Sequence, residues 1–235
     1  NTMEYARYLA LLHNWINENP WLQPVEPELI MIGDSHSLSP GGQVLKLATW
    51  NRTIHSRVIE GCKAFHLASK NENLYQHSIR KILNETPPDA PIILSIGEID
   101  CRLDEGFITA LNKGSITDLD ASISQVVNDY ISFVLAITDP RNLKIAFQGV
   151  PAPNRNWSKI SEEDKSQLIY VIERFNYHLK TRCELEHLYF IDVHELSSNH
   201  EGVSNKIWHI DDFHLIPTYL QEILNKSNVD FAIEK

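Results

Sequence analysis

The chain has 235 residues, 43% of them hydrophobic and 22% charged, a size and balance that suit one α/β domain with a sizeable core. A formal charge of −10 and a pI near 5.5 argue against a long polyanion such as nucleic acid as a partner, and no apolar run is long enough to cross a bilayer. Cys62, Cys101 and Cys183 stand at unrelated spacings that make neither a disulfide framework nor a zinc knuckle, which fits a reducing cytoplasm. The sequons at Asn51, Asn84, Asn156 and Asn225 read as chance in such a chain.

In chain order, "MEYARYLALLHNWINENPW" comes first, with Tyr5, Leu9, Leu12 and Ile16 at helical spacing before Pro20. Residues 1–27 are expected to form an N-terminal helix and linker packed on a domain spanning 28–235; since the first residue is Asn, the alternative is the end of an upstream region. The acids, amides and tryptophan within residues 1–20 do not read as a signal peptide. After Pro27, short apolar runs alternate with longer amphipathic ones. The expected strands are 29–32, 54–59, 92–96, 143–147 and 188–193. The expected helices are 74–83, 123–137, 162–183 and a last one from Pro217, a good first-turn residue, through 223. Strands rich in Ile, Leu and Val between helices predict βαβ units and a parallel sheet covered on both faces.

In open sheets of this kind, ligands bind beyond the carboxyl ends of the strands. "GDSHS" follows the first strand, "EGCKAFH" the second, "GEIDCR" the third and "QGVPAPN" the fourth, while "WHIDDFHL" precedes the final helix. All of these fall on one edge. The first poses a choice: Ser35 as a nucleophile, or Asp34 and His36 as a pair of metal ligands.

Gly33-Asp34-Ser35 after an apolar run, with Asp211-x-x-His214 just before a terminal helix, resembles the SGNH (GDSL-type) hydrolase family over roughly residues 28–226. Gly61 stands where that family's second block has a glycine, and Gly97-Glu98-Ile99-Asp100 where its third reads G-x-N-D. The wording "GDSH…GEIDCR" is similar to a bacterial subgroup associated with surface polysaccharides. The resemblance implies a three-layer α/β/α, flavodoxin-like fold with an about five-stranded parallel sheet. It also implies ester hydrolysis or acyl transfer by Ser35, without a cofactor. Residue chemistry agrees, because a hydroxyl needs a base within reach. His214 would take its proton, and Asp211, with Asp212 as rival, would orient the imidazole. Asp34 is expected to bond loop amides rather than to catalyse.

One departure stands out. The family's oxyanion hole uses the backbone N–H groups of the serine and the block-two glycine plus the block-three Asn side chain, and here that position is Ile99. Losing one donor can cost about 2.7–4 kcal/mol. Arg102 and Lys63 are the nearest cationic substitutes by sequence, each equally able to be a surface charge or to pair with Glu98 or Asp100. Gly61, Arg102, Lys63, Glu98 and Asp100 are thus the candidate oxyanion and substrate-binding residues.

Two other readings remain. Asp34-x-His36 also resembles the first metal block of calcineurin-like phosphoesterases, although the further blocks those enzymes need are absent; His209-x-Asp211-x-x-His214 offers one more ligand pattern. Alternatively, the chain is a carbohydrate-binding module on the hydrolase fold, its hole incomplete. Cys101 reads as a small buried apolar residue. "VPAPNRNW" and Trp208 suggest aromatic and polar walls, and no long amphipathic lid for lipid is visible. The expected substrate is therefore a small polar or carbohydrate ester, with no nucleic acid, no membrane insertion, and the oligomeric state open.

Overall fold

The computed structural model describes residues 7–9, 11, 28–47, 51–88 and 90–226. Its centre is β1 (Glu28–Gly33), whose ELIMIG run is inaccessible from Leu29 onward because both of its faces are covered. Leu29 and Met31 point to one layer, Ile30 and Ile32 to the other, as the two-residue period of a strand requires. Around it lie β3 (Asn51–Val58), β4 (Ile92–Ser95), β5 (Ile145–Gln148) and β6 (Tyr189–Ile191), all parallel. A sixth strand, β2 (Val44–Lys46), pairs antiparallel with β3, and the sheet order is β2-β3-β1-β4-β5-β6. Without β2 this is the flavodoxin-like order, and the chain changes direction across the sheet between β1 and β4. The sheet thus has six strands where about five were expected. A three-residue edge strand gives almost no periodic signal.

The helices are α1 (Ala64–Ala68), α2 (Leu74–Glu85), α3 (Gly106–Asn112), α4 (Leu119–Thr138), α5 (Glu162–Leu185), α6 (Val193–Ser197) and α7 (Tyr219–Lys226). One core holds Ile30, Ile32, Ile92, Leu94 and Phe147 against Ile79 of α2, Val127 and Ile131 of α4, and Val171 and Phe175 of α5. The other holds Leu29, Met31, Ile54, Ile93 and Ala146 against Tyr219, Leu220 and Leu224 of α7. The three-layer α/β/α expectation is met. Helix α7 starts two residues beyond Pro217, and the Gln221 carboxamide both accepts from Lys46 N–H (2.7 Å) and donates to Lys46 C=O (3.0 Å), tying it to β2.

The N-terminal expectation needs a correction. Residues 7–9 and 11 are helical, but Leu9, assigned to the buried stripe, is 43% exposed while Tyr8 beside it is 1% exposed. Tyr5, Leu12 and Ile16 lie outside the described residues. The three cysteines are free thiols and all buried. No helix among the described residues is long and apolar enough to cross a membrane.

Candidate active site

The crossover between β1 and β4 brings the loops after both strands to one point. Gly33 ends β1 against β4 so tightly that a Cβ there would lie 2.2 Å from the Ser95 carbonyl oxygen, so only glycine fits. Asp34 then caps a short 3₁₀ turn, Ser35–Leu38, accepting from the His36 backbone N–H. This turn carries Ser35 to the mouth of a cleft of about 400 Å³ lined also by Gly61, Lys63, Ile99, Arg102 and His214.

His214 arrives from the loop before α7. There Ile210 N–H bonds to His214 C=O, and Ile216 N–H to Trp208 C=O, closing a narrow turn. Inside it, one Asp211 carboxylate oxygen accepts the backbone N–H groups of Phe213 (2.8 Å) and His214 (2.7 Å), so the D-x-x-H spacing folds back on itself. The same carboxylate meets His214 Nδ1 at 2.8 Å, and His214 Nε2 lies 2.9 Å from Ser35 Oγ. Asp212, the rival orienter, lines the cleft but does not hold the ring.

The charges follow from the surroundings. Burial would raise Asp211, but the His214 bond and the two amides hold it down to about 2. Burial lowers His214, against the Asp211 hydrogen bond, and the charge of His36 lowers it further. With Nδ1–H donating to Asp211, the ring is neutral at neutral pH and its Nε2 lone pair faces the serine hydroxyl.

A second pair lies behind the first. His36 Nδ1 is 3.0 Å from Asp34 Oδ1, and its Nε2 donates to the Phe213 carbonyl at 3.2 Å. Both nitrogens face acceptors, so both carry protons. Burial opposes that charge, yet Asp34 overcomes it and raises the His36 pKa to about 9; His36 in turn holds Asp34 below the usual carboxylate range against burial. The His36 and His214 rings are 4.6 Å apart. Asp34 thus bonds a loop amide, as expected, and also neutralises a buried imidazolium.

This geometry bears on the metal reading. Among the described residues, Asp34, His36 and Glu98 form the one group whose ligand atoms lie within 4.8 Å of each other. These donors are already engaged with other partners: His36 bonds Asp34 and the Phe213 carbonyl, and Glu98 pairs with Arg102. His209, the other suggested ligand, bonds Ser204 through Nδ1 and belongs to no such group among the described residues.

The remaining sequence candidates separate. Arg102 reaches the cleft but commits Nε (2.8 Å) and Nη2 (2.6 Å) to Glu98, with its guanidinium 4.7 Å from the Phe213 ring. Arg155 lies on the same ring at 4.2 Å. Lys63 pairs with Glu105 at 2.7 Å. Asp100 is corrected from substrate contact to helix cap. It is 1% exposed and accepts Ala64 N–H (2.7 Å) and Phe65 N–H (3.0 Å) at the start of α1; burial pushes it up to about 7 against those bonds. Glu98 acts as the partner of Arg102 and does not line the cleft. Gly61 lies in the cleft at φ +69°.

Trp208 packs against the α7-side core and Trp157 against the other, so neither forms the aromatic wall expected of them. The aromatic side chains in the cleft are instead Tyr75, with His66 stacked on it at 4.1 Å, and Phe213. A hint was present in "KAFH" and "NLYQ", where Asn73 caps α2 and sets Tyr75 opposite His66.

No family model matches this sequence, and no curated protein matches it. Solved structures do match its fold. A GDSL-like lipase from Bacteroides thetaiotaomicron superposes with a TM-score of 0.55 at 13% identity, over 92% of this chain and 95% of the other. A variant of an acetyl-xylooligosaccharide esterase from Geobacillus gives 0.54 at 13%, over 90% and 99%. The OSK domain of Drosophila Oskar gives 0.51 at 15%, over 89% and 91%. At such identities the likeness establishes the α/β/α fold that GDSL-like lipases and esterases share, and nothing narrower.

Proposed function

We propose that this chain is a serine esterase, hydrolysing or transferring the acyl group of a small polar or carbohydrate ester through Ser35, His214 and Asp211. The observation that carries the reading is the unbroken chain from Ser35 Oγ to His214 Nε2 (2.9 Å) and from His214 Nδ1 to Asp211 (2.8 Å). His214 takes the serine proton as Oγ attacks the ester carbonyl, and Asp211 steadies the imidazolium that results. His214 then gives the proton to the departing alcohol. Water or an acceptor hydroxyl releases the acyl group from Ser35 by the reverse relay. The likeness to a GDSL-like lipase and an acetyl-xylooligosaccharide esterase supports the reaction class. The cleft, with charged side chains beside Tyr75 and Phe213 in its walls, supports a sugar-sized alcohol portion.

The negative oxygen formed on attack falls to the backbone N–H groups of Ser35 and Gly61, helped by Arg102. Ile99, 7% exposed and lining the cleft, offers no donor. That residue favours the second reading, a carbohydrate-binding module without turnover.

A fluorophosphonate probe with peptide mapping, alongside assays on short acyl esters, separates the two. Esterase activity, label on Ser35, and loss of both in Ser35→Ala are expected. Exhaustive chelation should leave the rate unchanged, since no step draws on a Lewis acid. An unlabelled Ser35, or activity that survives Ser35→Ala, overturns the serine mechanism.

A further inference from the structure

Tyr8 precedes β1 by twenty residues in sequence and belongs to no motif, yet it touches both reacting partners. Its ring lies flat on the His214 imidazole, centroids 3.6 Å apart and planes within 9°. Its hydroxyl donates to the Ser35 backbone carbonyl at 3.1 Å. It is 1% exposed, although its neighbour Leu9 faces solvent, and the preceding Arg7 lines the same cleft.

We infer that Tyr8 is a positioning residue of this site, holding the His214 ring in line with Ser35 and presenting an aromatic face to the positive charge that the ring acquires during turnover. This rests on the proposed roles of Ser35 and His214. Three physical effects converge. The stacked ring blocks the His214 imidazole from tilting off the Ser35–Asp211 line, where small misplacements are costly. The hydroxyl pins the backbone that carries the nucleophile, so ring and serine are referred to one side chain. The face of an aromatic ring attracts a cation and favours imidazolium over imidazole, most strongly where water is excluded. The other charged groups around His214 are Asp211 and Asp212 on its own loop, His36 after β1, Glu98 and Arg102 after β4, and Arg7 beside Tyr8; Asp212, Arg102 and Arg7 line the same cleft. His36 and burial disfavour the charged ring, while Asp211 and Tyr8 favour it.

Tyr8→Leu keeps apolar cover over His214 but removes the π face and the hydroxyl; Tyr8→Phe removes the hydroxyl alone. In the full chain, Tyr8→Leu should lower kcat roughly 3- to 30-fold with KM little changed, and should shift the acid limb of the kcat/KM profile to lower pH. Tyr8→Phe should restore the wild-type limb and most of kcat. The His214 ring, followed by NMR titration in the same variants, should show the same ordering: wild type and Tyr8→Phe alike, Tyr8→Leu protonating at lower pH. A merely structural tyrosine would change the melting temperature without moving that titration.

If Tyr8→Leu and Tyr8→Phe titrate alike, or if Tyr8→Leu turns over faster than wild type, the positioning role is wrong. In the second case Tyr8 obstructs the site. If wild type has no esterase activity and Ser35 takes no label, the proposed function fails. The NMR titration still decides whether Tyr8 sets the protonation of His214.

Discussion

Two aspartate–histidine pairs sit side by side in this molecule and are built for opposite ends. In both, the aspartate accepts from ring Nδ1 and from a nearby backbone N–H. What differs is the partner of Nε2. For His36 it is the Phe213 carbonyl, which can only accept, so that ring holds two protons and a charge. For His214 it is the Ser35 hydroxyl, which can donate, so the ring remains a neutral base. In this pair, an imidazole's role is set less by its carboxylate than by the atom opposite its far nitrogen. The charged ring also serves the neutral one. It bonds the backbone of the loop that carries His214, and its charge discourages His214 from protonating early.

Substitutions at the two histidines should break this symmetry most visibly. His214→Gln should lower kcat by about 10⁴–10⁶-fold while leaving the unfolding free energy within about 1 kcal/mol. His36→Ala strands the buried Asp34 carboxylate and should cost about 3–5 kcal/mol in chemical denaturation. Reversed outcomes, with His36 governing rate and His214 governing stability, would mean the two roles have been exchanged.

The pH dependences should also diverge. The His36 pKa is raised to about 9 when folded, so the stability it confers is complete below its unfolded value near 6.5 and is lost as pH rises through about 9. Asp211, depressed to about 2, confers stability above about 4 that is lost as pH falls toward 2. Catalysis should fail on the acid side, where His214, held below the ordinary imidazole range chiefly by burial, gains its proton. Melting curves from pH 6 to 10 should show a decline that Asp34→Asn flattens.

Smaller effects sharpen the account of the missing donor. Arg102→Gln should lower kcat by about 10- to 100-fold with little change in KM if the guanidinium helps stabilise the oxyanion. An unchanged kcat would assign Arg102 to Glu98 and Phe213 alone. Ile99→Asn should fold and should at least preserve kcat. Gly61→Ala is the mildest. At φ +69° the methyl group meets only the Tyr75 hydroxyl at 3.6 Å, so the cost is conformational, about 1–2 kcal/mol in denaturation.

Much of the fold is legible in the sequence because β1 and β4 are unbroken apolar runs and α4 and α5 are long enough to show their period. The core of the site is legible for a local reason: GDS and D-x-x-H each fold on themselves, with Asp34 capping its own turn and Asp211 its own loop. What escaped the sequence depends on distant partners. The sequence leaves His36 open as one of a pair of possible metal ligands, because the carbonyl that fixes its second nitrogen lies 177 residues away. Asp100 looked like a cleft residue until α1, five residues long, appeared above it. Arg102 and Glu98 could be paired by their four-residue spacing, but whether that pair faces the ester could not. Tyr8 carried no signal at all, since the apolar stripe around it pointed to Leu9.

The tie between Gln221 and Lys46 has a consequence for association. A sheet ends in unpaired peptide groups, and those groups are where a foreign strand docks. At the β2 end the strand is three residues long, and the outward N–H and C=O of Lys46 are both occupied by the Gln221 carboxamide, which imitates the peptide of a next strand. The exposed Lys46 side chain adds a charge that an apolar newcomer would have to desolvate. At this margin the protein has supplied a terminal rung at Lys46, which leaves an incoming strand less backbone to pair with.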